Sequence, residues 1–337
     1  MTRTPSVLFA NLICRFGERY VLLDLAHEVV LPAFTDTSLK RPYGSTSYFF
    51  FGIRLSEFEN PDPDARVPLM VLHGQFIKDT VLTRTQVFSA EAGLVSDEES
   101  MSSAPSAFFA LVLNNHKLVY LPETPYAPPL GTFASTVQYF LRLKHREYVN
   151  ALYEQARHTE QPKTKTALYE EIPVPHVEVL PLASKASIEQ FLGAFDKLTQ
   201  LEFRILDTNQ ELQMLETYRQ LRIMKGAVHS QNTKLTHGSS TGLDKVEAIE
   251  QIHASAATGN QSVQLAGTSL DGTKLRGDNH SFQLRVPCDQ VSPVPVERAE
   301  QMVRLYQHQV EQGILTADPA EETPDKIEQL RERLPHE

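Results

Sequence analysis

The stretch His176 to Leu206, HVEVLPLASKASIEQFLGAFDKLTQLEFRIL, constrains the fold more than any other. Val177, Val179 and Leu182 lie in a short apolar run with β-branched residues, which reads as a strand. Ser184 or Ser187 offers a short side-chain oxygen that accepts an orphan backbone N–H and opens a helix. Ile188, Phe191, Leu192, Phe195 and Leu198 recur at helical spacing and give one apolar face. Leu201, Phe203, Ile205 and Leu206 make a second strand, with Glu202 and Arg204 turned the other way. A helix between two strands needs a sheet to lie on. The stretch predicts an α+β chain with mixed or antiparallel sheets, β-α-β units, ferredoxin-like elements and packed helices.

The 337 residues, 41% of them hydrophobic, suffice for one large domain or two modest ones. The formal net charge of −10 disfavours non-specific attraction to phosphate backbones. Two cysteines, Cys14 and Cys288, far apart in so long a chain, indicate a reducing compartment. No apolar run approaches the ~18 residues of a membrane span. Asn11 and Arg15 interrupt the core a signal peptide would need. A cytoplasmic protein with no membrane partner is the expectation.

Residues 1–131 read as a β-rich domain. Val7 to Phe16 and Ser47 to Leu55 are strand-like, as are Val67 to Gln75 and Ile77 to Phe88 in a meander. Tyr20 to Val30 reads as helix-like, ending at Pro32. The acidic Ser89 to Pro105 reads as an exposed loop. Ala107 to Leu113 and Lys117 to Leu121 flank Asn114-Asn115-His116 as a hairpin. A connecting helix occupies 132–160, opened by Thr132. Residues 161–295 form the α+β domain. There Asp207-Thr208-Asn209 caps a helix carrying Leu212, Leu215, Tyr218, Leu221 and Ile223. Val228 to Gly242 reads as a polar loop, Leu243 to Ala257 as a helix capped by Thr241. Ser262 to Val286 reads as a hairpin turning at Asp271-Gly272. Residues 296–337 are expected to be a last helix, Val296 to Val310, and an acidic tail, disordered or partly helical.

Motifs for catalysis are absent from the sequence. No serine sits in G-x-S-x-G, neither cysteine has an adjacent histidine, and no ligand spacing marks a zinc site. Gly238-Ser239-Ser240-Thr241-Gly242 has the composition of a phosphate loop but lacks the lysine that should follow. The paired acids Asp97-Glu98-Glu99, Glu170-Glu171 and Glu321-Glu322 read as solvated. No catalytic residue, metal or cofactor is expected.

Charge reverses locally. From Tyr218 to Val286 eight basic residues face five acidic ones, within a negative chain. Arg219, Arg222 and Lys225 recur every third residue on one helix face. Lys274 and Arg276 alternate along a strand and point the same way. With Lys234 and His237 they make a candidate phosphate-binding face. Arg142, Lys144, His145 and Arg146 form a second cluster that reads as an ordinary outer helix face.

The run APSAFFALVLNNHKLVYLPETPYAPP, the stretch from His176 and the late SVQLAGTSLDGTKLRGDNHSFQLRVP follow a familiar order. Val177, Val179, Pro181 and Leu182, then Asp271 and Gly272, carry the resemblance. Over residues 45–287 the chain resembles the RexA-like phage-exclusion family and related prophage proteins with a domain of unknown function. That resemblance implies a cytoplasmic anti-phage protein that binds DNA and forms homodimers, with a possible partner effector protein. It carries no catalytic residue. The first expectation is therefore non-enzymatic nucleic-acid binding, to DNA. The second is a protein–protein adaptor docking through Val296 to Val310 and the tail, and the third a metal- or histidine-dependent nuclease using His229, His237 and His280.

Overall fold

The computed structural model describes residues 5–158, 162–207, 216–316 and 322–333. The chain begins β1 (Ser6–Phe16), β2 (Tyr20–Val21), α1 (Leu31–Thr35), β3 (Arg41–Tyr43), β4 (Thr46–Phe58), β5 (Leu69–Ser89), β6 (Gly93–Ser103), β7 (Ser106–Val112) and β8 (Lys117–Pro122). It continues α2 (Leu130–Ala156), α3 (Lys165–Glu171), β9 (Pro175–Pro181), α4 (Lys185–Leu192), β10 (Lys197–Ile205), α5 (Glu216–Ala227) and β11 (Thr233–Gly238). The remainder is α6 (Lys245–Ala256), β12 (Gln261–Thr268), β13 (Lys274–Asp278), β14 (Arg285–Pro287), α7 (Pro295–Glu311) and α8 (Thr323–Glu332). The fold is α+β, and its strands pair antiparallel.

A large sheet runs β14-β1-β8-β7-β5-β4-β3, with β2 and β9 also on β1 and β6 on β5. Helices cover both sides. On β1, Leu8, Ala10, Leu12, Cys14 and Phe16 face a core with α2, while Val7 and Phe9 face a core with α7. The adjacent Phe109 and Phe108 of β7 divide the same way. Burial on both faces removes the apolar–polar alternation of a half-exposed strand. Phe133 of α2 is a hub of the first core, its ring 5.1 Å from Phe109, 5.5 Å from Phe76 and 5.7 Å from both Phe50 and Tyr120. These edge-on approaches suit the quadrupoles of aromatic rings.

The second sheet has the order β11-β10-β12-β13. Here the expected β-α-β unit needs correction. Strand, helix and strand are all present, but β9 pairs with β1 of the large sheet and β10 lies inside the second sheet. The helix α4 therefore bridges two sheets. The crossover within the second sheet is β11-α6-β12. Both strands lie antiparallel to β10 on its two sides, so they are parallel to each other, a split β-α-β arrangement.

The expected boundaries shift accordingly. The helix α2 buries Phe133, Val137, Phe140 and Leu141 and is core, not connector. The strand β14 pairs with β1, and α7 and α8 also pack against the large sheet's unit. The second sheet is thus an insertion between β9 and β14. Its seam is polar: Asn11 Nδ2 donates to Gly259 O at 3.1 Å, and the buried Lys117 Nζ donates to Thr258 O at 2.9 Å. Gly259 has φ +69°, and a Cβ there would sit 2.6 Å from Asn11 Cβ. The seam needs glycine for both its backbone angle and its lack of a side chain.

Local expectations differ in instructive places. Pro32 does not end the helical segment; it opens α1 directly after a π-helical turn over Ala26–Val30, so the helical run passes through it. Thr132 does not cap α2, which starts after Pro129, and α6 is capped by Asp244, not Thr241. In the polar stretch before α6, Thr233–Gly238 forms β11 on the edge beside β10. The run SFQLRV leaves the late hairpin, which is β12 and β13. The tail carries α8, with Ile327 and Leu330 buried in the first core. Thr208, Asn209, Leu212 and Leu215 lie outside the described residues.

Truncating Phe133→Ala should cost roughly 3–5 kcal/mol, because a buried aromatic leaves a cavity that several rings cannot all relax into; urea unfolding measures it. Two buried rings contribute to acid stability. Burial, aided by Lys117 and Lys326, holds His116 down at about 3, and burial with Arg54 holds His73 at about 4. Both rings fold neutral, whereas the unfolded chain takes up protons near ~6.5. Their contribution is complete above that value and is lost as pH falls toward their folded values, at about 1.4 kcal/mol per pH unit for each. His116 has φ +59°, a conformation asparagine accepts. His116→Asn should therefore flatten the loss of stability between pH ~6.5 and ~4, read by urea titration across that range.

Candidate functional site

Residues opposite each other on antiparallel strands share a face. In the second sheet, Gln200, Ala266 and Arg276 form one row, and Thr236, Glu202, Gln264 and Asp278 the next. Lys234, Arg204 and Ser262 form a third row, while Thr268 pairs with Lys274. This face is polar and largely open to solvent. The other, with Leu201, Phe203, Val263 and Leu265, packs under α4, α5 and α6.

The sequence-predicted basic residues fall on both sides of that sheet. Lys234, Lys274 and Arg276 share the open face. Arg219, Arg222 and Lys225 are on α5, which lies on the helical side, where the Tyr218 ring is tilted against that of Phe203 with centroids 5.8 Å apart. His237 registers with Leu201 and so also belongs to the helical side. Lys225 is buried and donates to Asp207 at 2.6 Å. Lys234 pairs with Glu202 at 2.7 Å, and Arg204 pairs with Glu178 of β9. Arg219 and Arg222 have interactions of their own. Arg222 also acts on Arg15 of β1, whose pKa is lowered first by burial and then by this like charge. Lys274 and Arg276 are exposed, and no carboxylate pairs with either among the described residues. The single patch expected from sequence is divided by the sheet itself.

The nuclease constellation does not assemble either. His237 sits on edge strand β11, whereas His280 follows the opposite edge strand β13. His229 lies in an exposed turn after α5 with φ +51°. Among the described residues, no group of three or more His, Cys, Asp or Glu side chains is placed to hold a metal ion. Burial pushes the Cys14 thiol up to about 12, far from a nucleophile's range. No family model matches the chain, and no curated protein matches it.

The feature that sequence reasoning missed is an arm. The expected pair of strands over 67–88 is one strand, β5, and the expected acidic loop contains its partner β6. The sheet ends at Ile77↔Ser106 on one side of β5 and Ser47↔Asp79 on the other. From Thr80 onward β5 pairs with β6, a two-stranded ribbon about 30 Å long at ~3.3 Å per residue. Its turn is built locally: Ser89 Oγ accepts from the Glu91 and Ala92 amides, and Gly93 supplies φ +73°. A bulge between Arg84 and Gln86 opposes two β6 residues to one on β5. Arg84 bonds Asp97 and reaches Glu99 at 2.6 Å.

Leu82 with Met101 and Phe88 with Leu94 are registered pairs on one face of this arm. Phe88 is 76% exposed, Leu94 71% and Met101 62%. Single exposed apolar side chains are ordinary, but four on one face of a ribbon that protrudes from the sheet mark an interaction surface. A two-stranded ribbon by itself is only marginally stable in water. The signal was in the sequence: β-branched Thr80 to Val87 leads through Ala90-Glu91-Ala92-Gly93 into Leu94-Val95. The acids after Val95 hid it.

Proposed function

We propose that this chain is a non-enzymatic assembly protein that presents its β5–β6 arm to another polypeptide. The observation that carries the reading is the arm's apolar face, exposed on a ribbon whose outer edges pair with no further strand among the described residues. Partner binding is the physical remedy for both. The adaptor idea thereby changes its docking element. The helix α7 is unsuited to docking because Ala299, Met302, Val303 and Tyr306 are already buried, and Arg331 and Arg333 tie the α8 segment to Glu57 and Glu28. Among the described residues no helix is long and apolar enough to cross a membrane. The cytoplasmic, anti-phage setting of the proposal rests on the family resemblance over residues 45–287.

DNA binding is the second reading. It is favoured by Lys274 and Arg276, which alternate on the open face without paired acids among the described residues. The face also carries Glu202 and Asp278, and the registered rows contain no aromatic ring on which a base could stack.

Two measurements separate these readings. Full-length protein carrying Phe88→Glu and Leu94→Glu, purified from its host beside wild type and a second tagged copy, should lose the co-purifying polypeptide while keeping its circular dichroism. An identical set of co-purifying chains in both preparations would sink the assembly reading. If the open face holds phosphates, Lys274→Glu with Arg276→Glu should abolish a DNA affinity that falls steeply from low to physiological salt. Salt-independent binding, or none in wild type, removes the DNA reading.

A further inference from the structure

The arm's face is self-matching. From base to tip it presents an apolar row (Leu82, Met101), a charged row (Arg84, Glu99), a polar row (Gln86, Ser96) and an apolar row (Phe88, Leu94). We propose that the polypeptide seated on this face is the same face of a second copy of the chain, packed arm against arm about a two-fold axis. The inference rests on the assembly reading above and names its partner.

The order of the rows supports it. A two-fold interface brings one patch onto itself, so the patch must be complementary to itself. With the axis along the strands, β5 of one copy lies over β6 of the other. Leu82 then meets the second copy's Met101, Phe88 meets its Leu94, and Arg84 meets its Glu99. With the axis across the strands, the apolar row at the base covers the apolar row at the tip, and the charged row covers the polar one. Neither arrangement sets Arg84 against Arg84 or leaves an apolar row on a charged one. Arg84 already bridges Asp97 and Glu99 within its own arm, so the guanidinium stays paired when covered. Nucleic acid is a poor occupant, since residues 80–103 hold four acidic residues against one arginine.

The reverse face supplies the control. Val95 registers with Val87 there, away from the matched rows. Light scattering of the pure full-length chain over a dilution series should give a dimer that dissociates on dilution. Phe88→Glu with Leu94→Glu should halve the mass with circular dichroism unchanged, whereas Val95→Glu should leave the dimer intact. A wild type that is monomeric at every concentration overturns the proposal. So does a dimer that survives the Phe88→Glu and Leu94→Glu changes, or one that Val95→Glu disrupts equally, which would indicate edge-to-edge strand pairing. A monomeric wild type that still co-purifies with a different protein in an arm-dependent way keeps the assembly reading and discards self-pairing. A monomer with no arm-dependent partner discards both.

Discussion

The large sheet must be covered on both faces, and most of the chain's arrangement follows from meeting that demand. Once β1 and β7 place aromatic and aliphatic side chains on each side, two separate layers have to arrive to exclude water. The helix α2 supplies one layer immediately after the hairpin. The other cannot come from nearby in sequence, and the chain delivers it as α7 only after the second sheet has been built. The late return of β14 to the edge of β1 belongs to the same closure. Elements expected to be linkers and tails are therefore cover.

This explains which parts of the fold were legible in the sequence. Strands rich in aromatic and β-branched residues, such as β4, β7 and β10, announce themselves through local chemistry. So do α2 and α7, whose apolar residues recur at helical spacing. What local pattern cannot carry is the identity of a strand's neighbour. The run Val177 to Leu182 reads as a strand whichever sheet it joins, and its pairing with β1 spans more than a hundred residues of chain. The strand β6 was illegible for another reason. In a free ribbon both faces meet solvent, so acidic and small residues satisfy a strand as well as a loop, and composition loses its meaning.

The basic residues show the same limit. Period two placed Lys274 and Arg276 side by side, and the register confirms that placement. Period three placed Arg219, Arg222 and Lys225 on one side of a helix. Neither rule says whether that helix lies above the sheet or below it. The side is fixed by Tyr218, whose ring packs tilted against Phe203 and whose hydroxyl accepts from Ser255 of α6 at 3.0 Å. Lys225 is then spent on an internal ion pair with Asp207. An excess of charge along a stretch of sequence is thus no measure of the potential over any one surface.

The continuity of β5 has a mechanical meaning. One unbroken strand carries Phe88 in solvent and Phe76 in the first core, held between β4 and β7 along its inner half. A pull on the arm along its axis loads those backbone hydrogen bonds in shear, all at once, and not one at a time as in peeling. Whatever grips the tip is thereby coupled to the interior packing of the whole molecule, and the arm behaves as a stiff handle, not a tether.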